Sequence, residues 1–108
     1  MDYRVGYIYI NDIFAGLLSE TEFGYEFKYD EKYILLDNSS PVSLTMPIQI
    51  EPFISKTLFP FFDGIIPEGW LLDVVVNNWK INKNDRFGIL LVACNDCIGN
   101  VSVRSSKQ

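Results

Sequence analysis

The first twenty residues contain two runs of strand-forming side chains separated by a two-residue turn. Residues 3–10, YRVGYIYI, alternate around aromatic and β-branched side chains, and residues 13–20, IFAGLLSE, follow after Asn11 and Asp12. This pattern is typical of an antiparallel β-hairpin. A hairpin is barely stable alone in water, so its apolar face must be covered by further strands or helices. The remaining chain is therefore expected to complete a sheet and a layer that covers it.

Further strand signals follow the hairpin. In residues 22–30 aromatic side chains alternate with polar ones or glycine, which predicts a third strand with one wet face. Residues 30–37, DEKYILLD, fit either a helical turn or a short strand, and periodicity does not decide between them. Two prolines bracket residues 42–46, which we predict to be a short edge strand, and residues 54–62 contain another short strand signal.

A first helix is predicted from about residue 67 to residue 80. Pro67 suits the first turn because its missing N–H would be unbonded there, and Glu68 is favourable at the positive end of the helix dipole. Apolar residues at positions i, i+3, i+4 and i+7 predict one buried stripe, with Trp79 as the core tryptophan; they are Leu72, Val75, Val76 and Trp79.

A second helix is predicted to begin at Asn82 or Asn84 as N-cap, since Asn82 with Asp85 loosely resembles a capping box. Its apolar face is expected to consist of Phe87, Leu90, Leu91 and Cys94. A last strand is predicted at 97–103, and a polar tail begins at about residue 104. Strands followed by helices indicate one α+β domain over residues 1–108, with a mainly antiparallel small sheet or partly closed barrel of about five to six strands and two α-helices.

Trp70 does not belong to the buried stripe of the first predicted helix. On a helical wheel of about 100° per residue it lies almost opposite that stripe, beside Asp73, Val74 and Asn77. Tryptophan is the residue type most enriched at the energetic centres of protein interfaces, which favours a docking role. The alternative, that the preceding apolar loop folds back over Trp70, stays open at this point.

The residue types that most catalytic and metal sites need are missing. The chain has no histidine, and it lacks the glycine spacing of phosphate-binding loops. Cys94 and Cys97 form a C-x-x-C pair, but a zinc site would need two more ligands. The other interpretation is a redox-active dithiol. It is disfavoured because the pair follows a predicted helix C-terminus, which does not stabilise a thiolate. We therefore interpret both cysteines as small buried side chains. We expect a binding protein without cofactor or metal rather than an enzyme.

Composition restricts the partners. Hydrophobic residues make up 48% of the chain, enough for a core, and the formal net charge is −5, which argues against direct nucleic-acid binding. No apolar run is long enough to span a membrane and no signal peptide is evident, so we expect a cytoplasmic protein with reduced thiols.

Three ordered motifs resemble the N-terminal subdomain 1 of HipA-type serine/threonine kinase toxins. They are PFFDGIIPEG at 60–69, the Asp85 and Phe87 helix start, and the DCIGNV ending at 96–101. The opening hairpin is similar as well, so the resemblance covers nearly the whole chain. The kinase body that follows this subdomain in full-length HipA has no counterpart here, and tryptophan directly after P-E-G departs from the HipA pattern.

The resemblance implies a free-standing, HipS-like antitoxin of a split HipBST system, in which a helix-turn-helix protein, a small protein and a shortened kinase are separate chains. It implies that the chain neutralises a HipT/HipA-like kinase through the face of residues 61–77, with a HipB-like DNA-binding protein as a possible third component. The predicted contact residues are Pro67, Glu68, Gly69, Trp70, Asp63, Asp73, Val74 and Asn77. The alternatives are a regulatory subunit that bridges the kinase to the DNA-binding protein without inhibiting it, and an independent ligand-binding or redox domain.

Overall fold

The computed structural model describes residues 3–66, 69–94 and 100–105, with Gly69 and Trp70 described for their backbone alone. It contains one antiparallel, open sheet of five strands in the order β4-β3-β2-β1-β5. The strands are β1 (Val5–Ile10), β2 (Ile13–Thr21), β3 (Gly24–Tyr29), β4 (Phe53–Ser55) and β5 (Val101–Arg104). The helices are α1 (Glu31–Ile34), α2 (Pro60–Gly64), α3 (Gly69–Trp79) and α4 (Arg86–Ala93).

The predicted hairpin is confirmed. Strands β1 and β2 pair antiparallel, with Ile10 opposite Ile13. The two turn residues between them have positive φ angles, 52° at Asn11 and 64° at Asp12. Asparagine and aspartate tolerate this conformation better than most residues, and its twist matches that of the flanking strands. The α+β class is also confirmed, but the sheet is open rather than a partly closed barrel.

Strand β3 confirms the third predicted strand, with Phe27 and Tyr29 in the core. The segment that follows it is helical: the Asp30 carboxylate caps α1 by accepting a hydrogen bond from the Tyr33 backbone N–H at 3.3 Å. This local cap settles the choice between helix and strand that the apolar pattern left open.

The predicted strand at 42–46 is wrong. Only an isolated bridge between Ser43 and Met46 forms there, closing a turn. The Tyr29 hydroxyl accepts a hydrogen bond from the Val42 N–H at 2.9 Å and donates one to the Met46 carbonyl. A side chain thus bonds backbone groups that would otherwise need a neighbouring strand. The short strand expected within 54–62 exists as β4 and begins one residue earlier, at Phe53.

The number of helices differs from the prediction, with four among the described residues instead of two. Besides α1, the unpredicted helix is α2, which begins at Pro60 and places Phe62 in the core. Helices α3 and α4 confirm the two predicted ones. The N-cap of α4 is Asp85, whose carboxylate accepts from the Gly88 N–H at 3.2 Å, and not Asn82 or Asn84.

Helix α4 packs against the sheet at both ends. At its start, Arg4, which directly precedes β1, forms ion pairs with the N-cap residue Asp85 and with Glu20 of β2. At its end, the Cys94 carbonyl accepts from the Val103 N–H of β5 at 2.8 Å. Between them the helix lies so close that a Cβ on Gly6 would come within 3.1 Å of the Leu91 side chain. The core is therefore closed over one face of the sheet, and α3 forms its outer boundary beside α4.

None of the helices in the described ranges is long and apolar enough to cross a membrane.

Candidate docking surface on helix α3

The inner side of α3 follows the predicted stripe over its first three positions. Leu72 is buried, and Val75 and Val76 are half-buried and pack against the core. Residues on the other side of α3, among them Asp73, Val74 and Asn77, are exposed. The buried stripe is confirmed for these three residues.

The prediction that Trp79 belongs to the core is wrong, because its side chain is 62% exposed. Helix α3 ends directly after it: Lys80 adopts a left-handed φ of 53°, and the Ile81 N–H donates to the Val76 carbonyl at 3.2 Å. This is the hydrogen bond of a Schellman motif, in which the residue after the left-handed one packs against the last turn. Ile81 accordingly packs against the core. The chain reversal therefore leaves Trp79 outside.

The outer side of α3 carries exposed apolar side chains. Val74 is 41% exposed, and the predicted neighbours Asp73 and Asn77 are exposed as well. Leu71, which sequence reasoning missed, is 47% exposed. The signal was present in the wheel, where Leu71 falls between the buried stripe and Val74. The outer side of α3 thus presents apolar surface to solvent.

Four of the predicted contact residues, at positions 67–70, fall at the predicted start of the helix. Helix α3 begins at Gly69, within two residues of the predicted start at 67. Pro67 and Glu68 lie outside the described residues, and so does the side chain of Trp70. The orientation of the Trp70 indole therefore remains a prediction from the helical wheel.

Two of the three predicted acidic residues, Asp63 and Asp73, form ion pairs within the domain. Asp63 accepts from the Arg86 Nε at 2.7 Å, and its carbonyl accepts from Arg86 Nη2 at 3.3 Å, which ties the end of α2 to the start of α4. Asp73 forms a longer, exposed ion pair with Lys83 at 3.4 Å. Both carboxylates are thus already neutralised by cations of the same chain, a pairing between distant residues that the sequence did not reveal.

The cysteine pair is only partly described. Cys94 is fully buried at the end of α4, and its thiol donates to the Ile65 carbonyl at 3.5 Å. Cys97 lies outside the described residues, so the geometry of the pair is not defined. Within the described ranges, no three histidine, cysteine, aspartate or glutamate side chains are grouped closely enough to hold a metal ion.

Comparison with known proteins relates both the sequence and the fold to one family. The profile of the HipA N-terminal domain matches residues 6–104. A solved structure described as the N-terminal domain of HipA toxin superposes with a TM-score of 0.73 at 33% identity, covering 97% of this chain and 94% of that one. An uncharacterized protein of Haemophilus influenzae is 36% identical over 105 residues, which is 97% of this chain and 95% of the relative.

Proposed function

The chain belongs to the HipA N-terminal domain family, and from this premise we propose that it is an antitoxin that binds and neutralises a HipT/HipA-like serine/threonine kinase toxin. The family relationship suggests a component of a HipBST-type toxin–antitoxin system. A relative of the same size supports a role for this domain as a separate small protein. A HipB-like helix-turn-helix protein would be the third component.

The observation that carries the proposal is the exposed apolar outer side of α3. Leu71 and Val74 are large apolar side chains, close to half exposed on a helix whose opposite side already fills the core. Exposed apolar surface that is continuous along one element is typical of an interface. Trp70 belongs to the same helix and, by the wheel, to the same side. A partner that covers this side would bury all three side chains together.

In the proposed complex, Trp70 is the anchor that fills a pocket of the kinase near its active site and hinders nucleotide or substrate binding. Pro67 and Gly69 shape the chain leading into the helix, and Val74 and Asn77 extend the contact along it. Glu68 faces basic groups of the kinase, as kinases use such groups to hold phosphates. Asp63 and Asp73 already form ion pairs within the domain. We therefore expect them to contribute less than Glu68 to the electrostatic attraction between the two proteins.

The test is co-expression with the cognate HipT-like kinase, combined with affinity measurement on purified proteins. Trp70→Ala is expected to weaken binding by about 30-fold or more and to restore toxicity, since truncating an interface tryptophan commonly costs about 2 kcal/mol or more. Leu44→Ala removes a 96% exposed side chain from the loop after α1 and is the matched control. A Trp70→Ala protein that folds normally and still relieves toxicity completely refutes the mechanism.

A kinase assay with and without the purified protein separates inhibition from bridging. Loss of kinase activity on addition of the protein supports an antitoxin. A stable complex with unchanged kinase activity supports the alternative, a regulatory subunit that links the kinase to the helix-turn-helix partner.

A further inference from the structure

The sheet face opposite α4, here called the back face, is defined by the alternation of side chains along β1. Gly6 faces α4, because an added Cβ there would lie 3.1 Å from the Leu91 side chain. Neighbouring residues of a strand point to opposite sides, so Val5 and Tyr7 belong to the back face. Cross-strand partners share a face, and the register therefore adds Leu17 and Ser19 of β2, Glu26 and Lys28 of β3, Ile54 of β4 and Arg104 of β5.

The two central strands have the composition of strands that are covered on both faces. Strand β1 contains no charged residue, and the residues from Ile13 to Leu18 of β2 carry no polar side chain. An antiparallel strand with one solvated face alternates apolar and polar residues, as β3 does with Glu26 and Lys28. On the back face, however, Tyr7 is only half-buried and Leu17 is 38% exposed. Apolar surface therefore remains at the centre of this face, between charged residues on the flanking strands, which is the usual anatomy of a protein interface.

Two neighbouring cross-strand rows form the centre of the back face. The Tyr7 row contains Lys28, Leu17, Tyr7 and Arg104, and the Val5 row contains Ile54, Glu26, Ser19 and Val5. Within the described part of the chain, neither Lys28 nor Glu26 forms an ion pair. Arg104 is engaged, because it bonds Asp12 at 3.2 Å and its Cζ lies 3.9 Å from the centre of the Tyr9 ring. Strand β3 thus presents one unpaired cation and one unpaired anion on the back face, in adjacent rows.

We propose that a second copy of this chain covers the back face, in a two-fold symmetric dimer whose sheets pack face to face. A two-fold axis that runs across the strands, between the two rows, places the Tyr7 row of one copy over the Val5 row of the other. Glu26 then faces Lys28 of the second copy, and symmetry repeats this pairing, so the charges of the face complement themselves. An axis along the strands, between β1 and β2, would instead place Lys28 near Arg104 of the second copy, two like charges.

The size of the back face sets the expected strength of the dimer. Five strands about 4.8 Å apart and about 20 Å long offer on the order of 500 Å² from each copy, near the lower limit of specific interfaces. We therefore expect a dimer that dissociates in the micromolar range. The inference goes beyond the proposed function: α3 packs beside α4, on the other side of the sheet, so the dimer leaves both α3 surfaces free and can bind two kinase chains.

Light scattering on the purified full chain, measured across the micromolar range, tests the dimer directly. The average mass is expected to rise with concentration from 12.4 kDa toward twice that value. Leu17→Thr keeps a strand-forming side chain but removes apolar contact twice per dimer, so it should raise the dissociation constant by about tenfold or more. Leu44→Thr makes the same change at a 96% exposed position in the loop after α1 and should leave the dimer unchanged.

Charge reversal on β3 tests the two-fold symmetry without removing apolar surface. Glu26→Lys alone and Lys28→Glu alone each place like charges opposite one another at both symmetric contacts, and each should weaken the dimer by about threefold or more. The double variant with both reversals restores opposite charges across the axis. Its dissociation constant should therefore return to the wild-type value.

Three results would overturn the inference. The first is a mass of 12.4 kDa throughout the micromolar range. The second is a dimer that neither Leu17→Thr nor the single charge reversals weaken, because the contact then lies elsewhere. The third is a monomeric chain whose kinase binding is weakened by Leu17→Thr, since the back face then belongs to the kinase. The mass measurement needs no kinase, so a failure of the proposed function leaves this inference standing, and the reverse also holds.

Discussion

Arg4 holds three elements of the fold together, and its replacement by methionine is the sharpest test of how the core is closed. Its guanidinium bonds Glu20 through Nε at 2.8 Å and Nη2 at 2.9 Å, and Asp85 through Nη1 at 2.7 Å and Nη2 at 2.9 Å. It also lies 5.4 Å from the centre of the Phe87 ring. Arg4→Met keeps the length of the aliphatic stem but removes every one of these bonds.

The magnitude follows from the burial of the three charges. Breaking a buried charge network costs about 3–5 kcal/mol, and an exposed ion pair is worth less than about 1 kcal/mol. The Arg4 side chain is 41% exposed and its two partners 22% and 33%, so an intermediate value applies. We expect Arg4→Met to lower the free energy of unfolding by about 2 kcal/mol and the melting temperature by about 10 °C. Urea and thermal unfolding monitored by circular dichroism measure both quantities.

The pH dependence gives an independent check. Hydrogen bonds from Arg4 hold the pKa of Glu20 and of Asp85 below their ordinary values. Carboxylates with a lowered folded-state pKa stabilise the fold above their ordinary pKa, near pH 4, and lose this contribution as the pH falls toward the lowered value. The loss of stability between about pH 5 and pH 3 should therefore be steeper in the wild type than in Arg4→Met. Lys32→Met, which removes an exposed cation, is the control. Equal stability and equal pH profiles in Arg4→Met and wild type would refute the reasoning.

Two further predictions concern the stability of the fold, one through a close contact of a glycine and one through the hydrogen bonds of a buried tyrosine. Gly88→Ala is expected to lower the free energy of unfolding by about 1–3 kcal/mol, because its Cβ would lie 2.3 Å from Asp85 Oδ2 and 2.9 Å from Arg4 Nη1. Gly64→Ala, with no atom within 4 Å of the new Cβ, should be nearly neutral in the same urea titration, and equal losses would contradict the argument. Tyr29→Phe is expected to cost about 1–3 kcal/mol and to speed amide exchange at Val42, because the Val42 N–H and the Met46 carbonyl lose their buried partner. Unchanged exchange at Val42 would show that the hydroxyl does not hold this loop.

The sequence predicted the elements that depend on local chemistry. The β1–β2 hairpin follows from alternation and from two turn residues that tolerate positive φ, and α3 and α4 follow from their apolar period. The loop at 42–46 was mistaken for a strand because a hydroxyl from β3, distant in sequence, bonds its backbone. The position of Trp79 was misjudged because a Schellman motif normally signals itself through glycine, and here lysine occupies the left-handed position. Interactions between residues far apart in sequence leave no periodic signal.

The internal ion pairs change what the acidic composition means for binding. Arg86 already bonds one carboxylate oxygen and the carbonyl of Asp63, so a basic group of a partner would meet a carboxylate that is already paired. Exchanging one ion pair for another yields little free energy, so these carboxylates can steer an encounter more than they can hold a complex. Leu71 and Val74 lose no bonded partner when they are covered, and the removal of their apolar surface from water is a net gain. Truncating apolar side chains along α3 should therefore weaken the proposed complex mainly by raising its dissociation rate. Added salt should weaken it mainly by lowering its association rate.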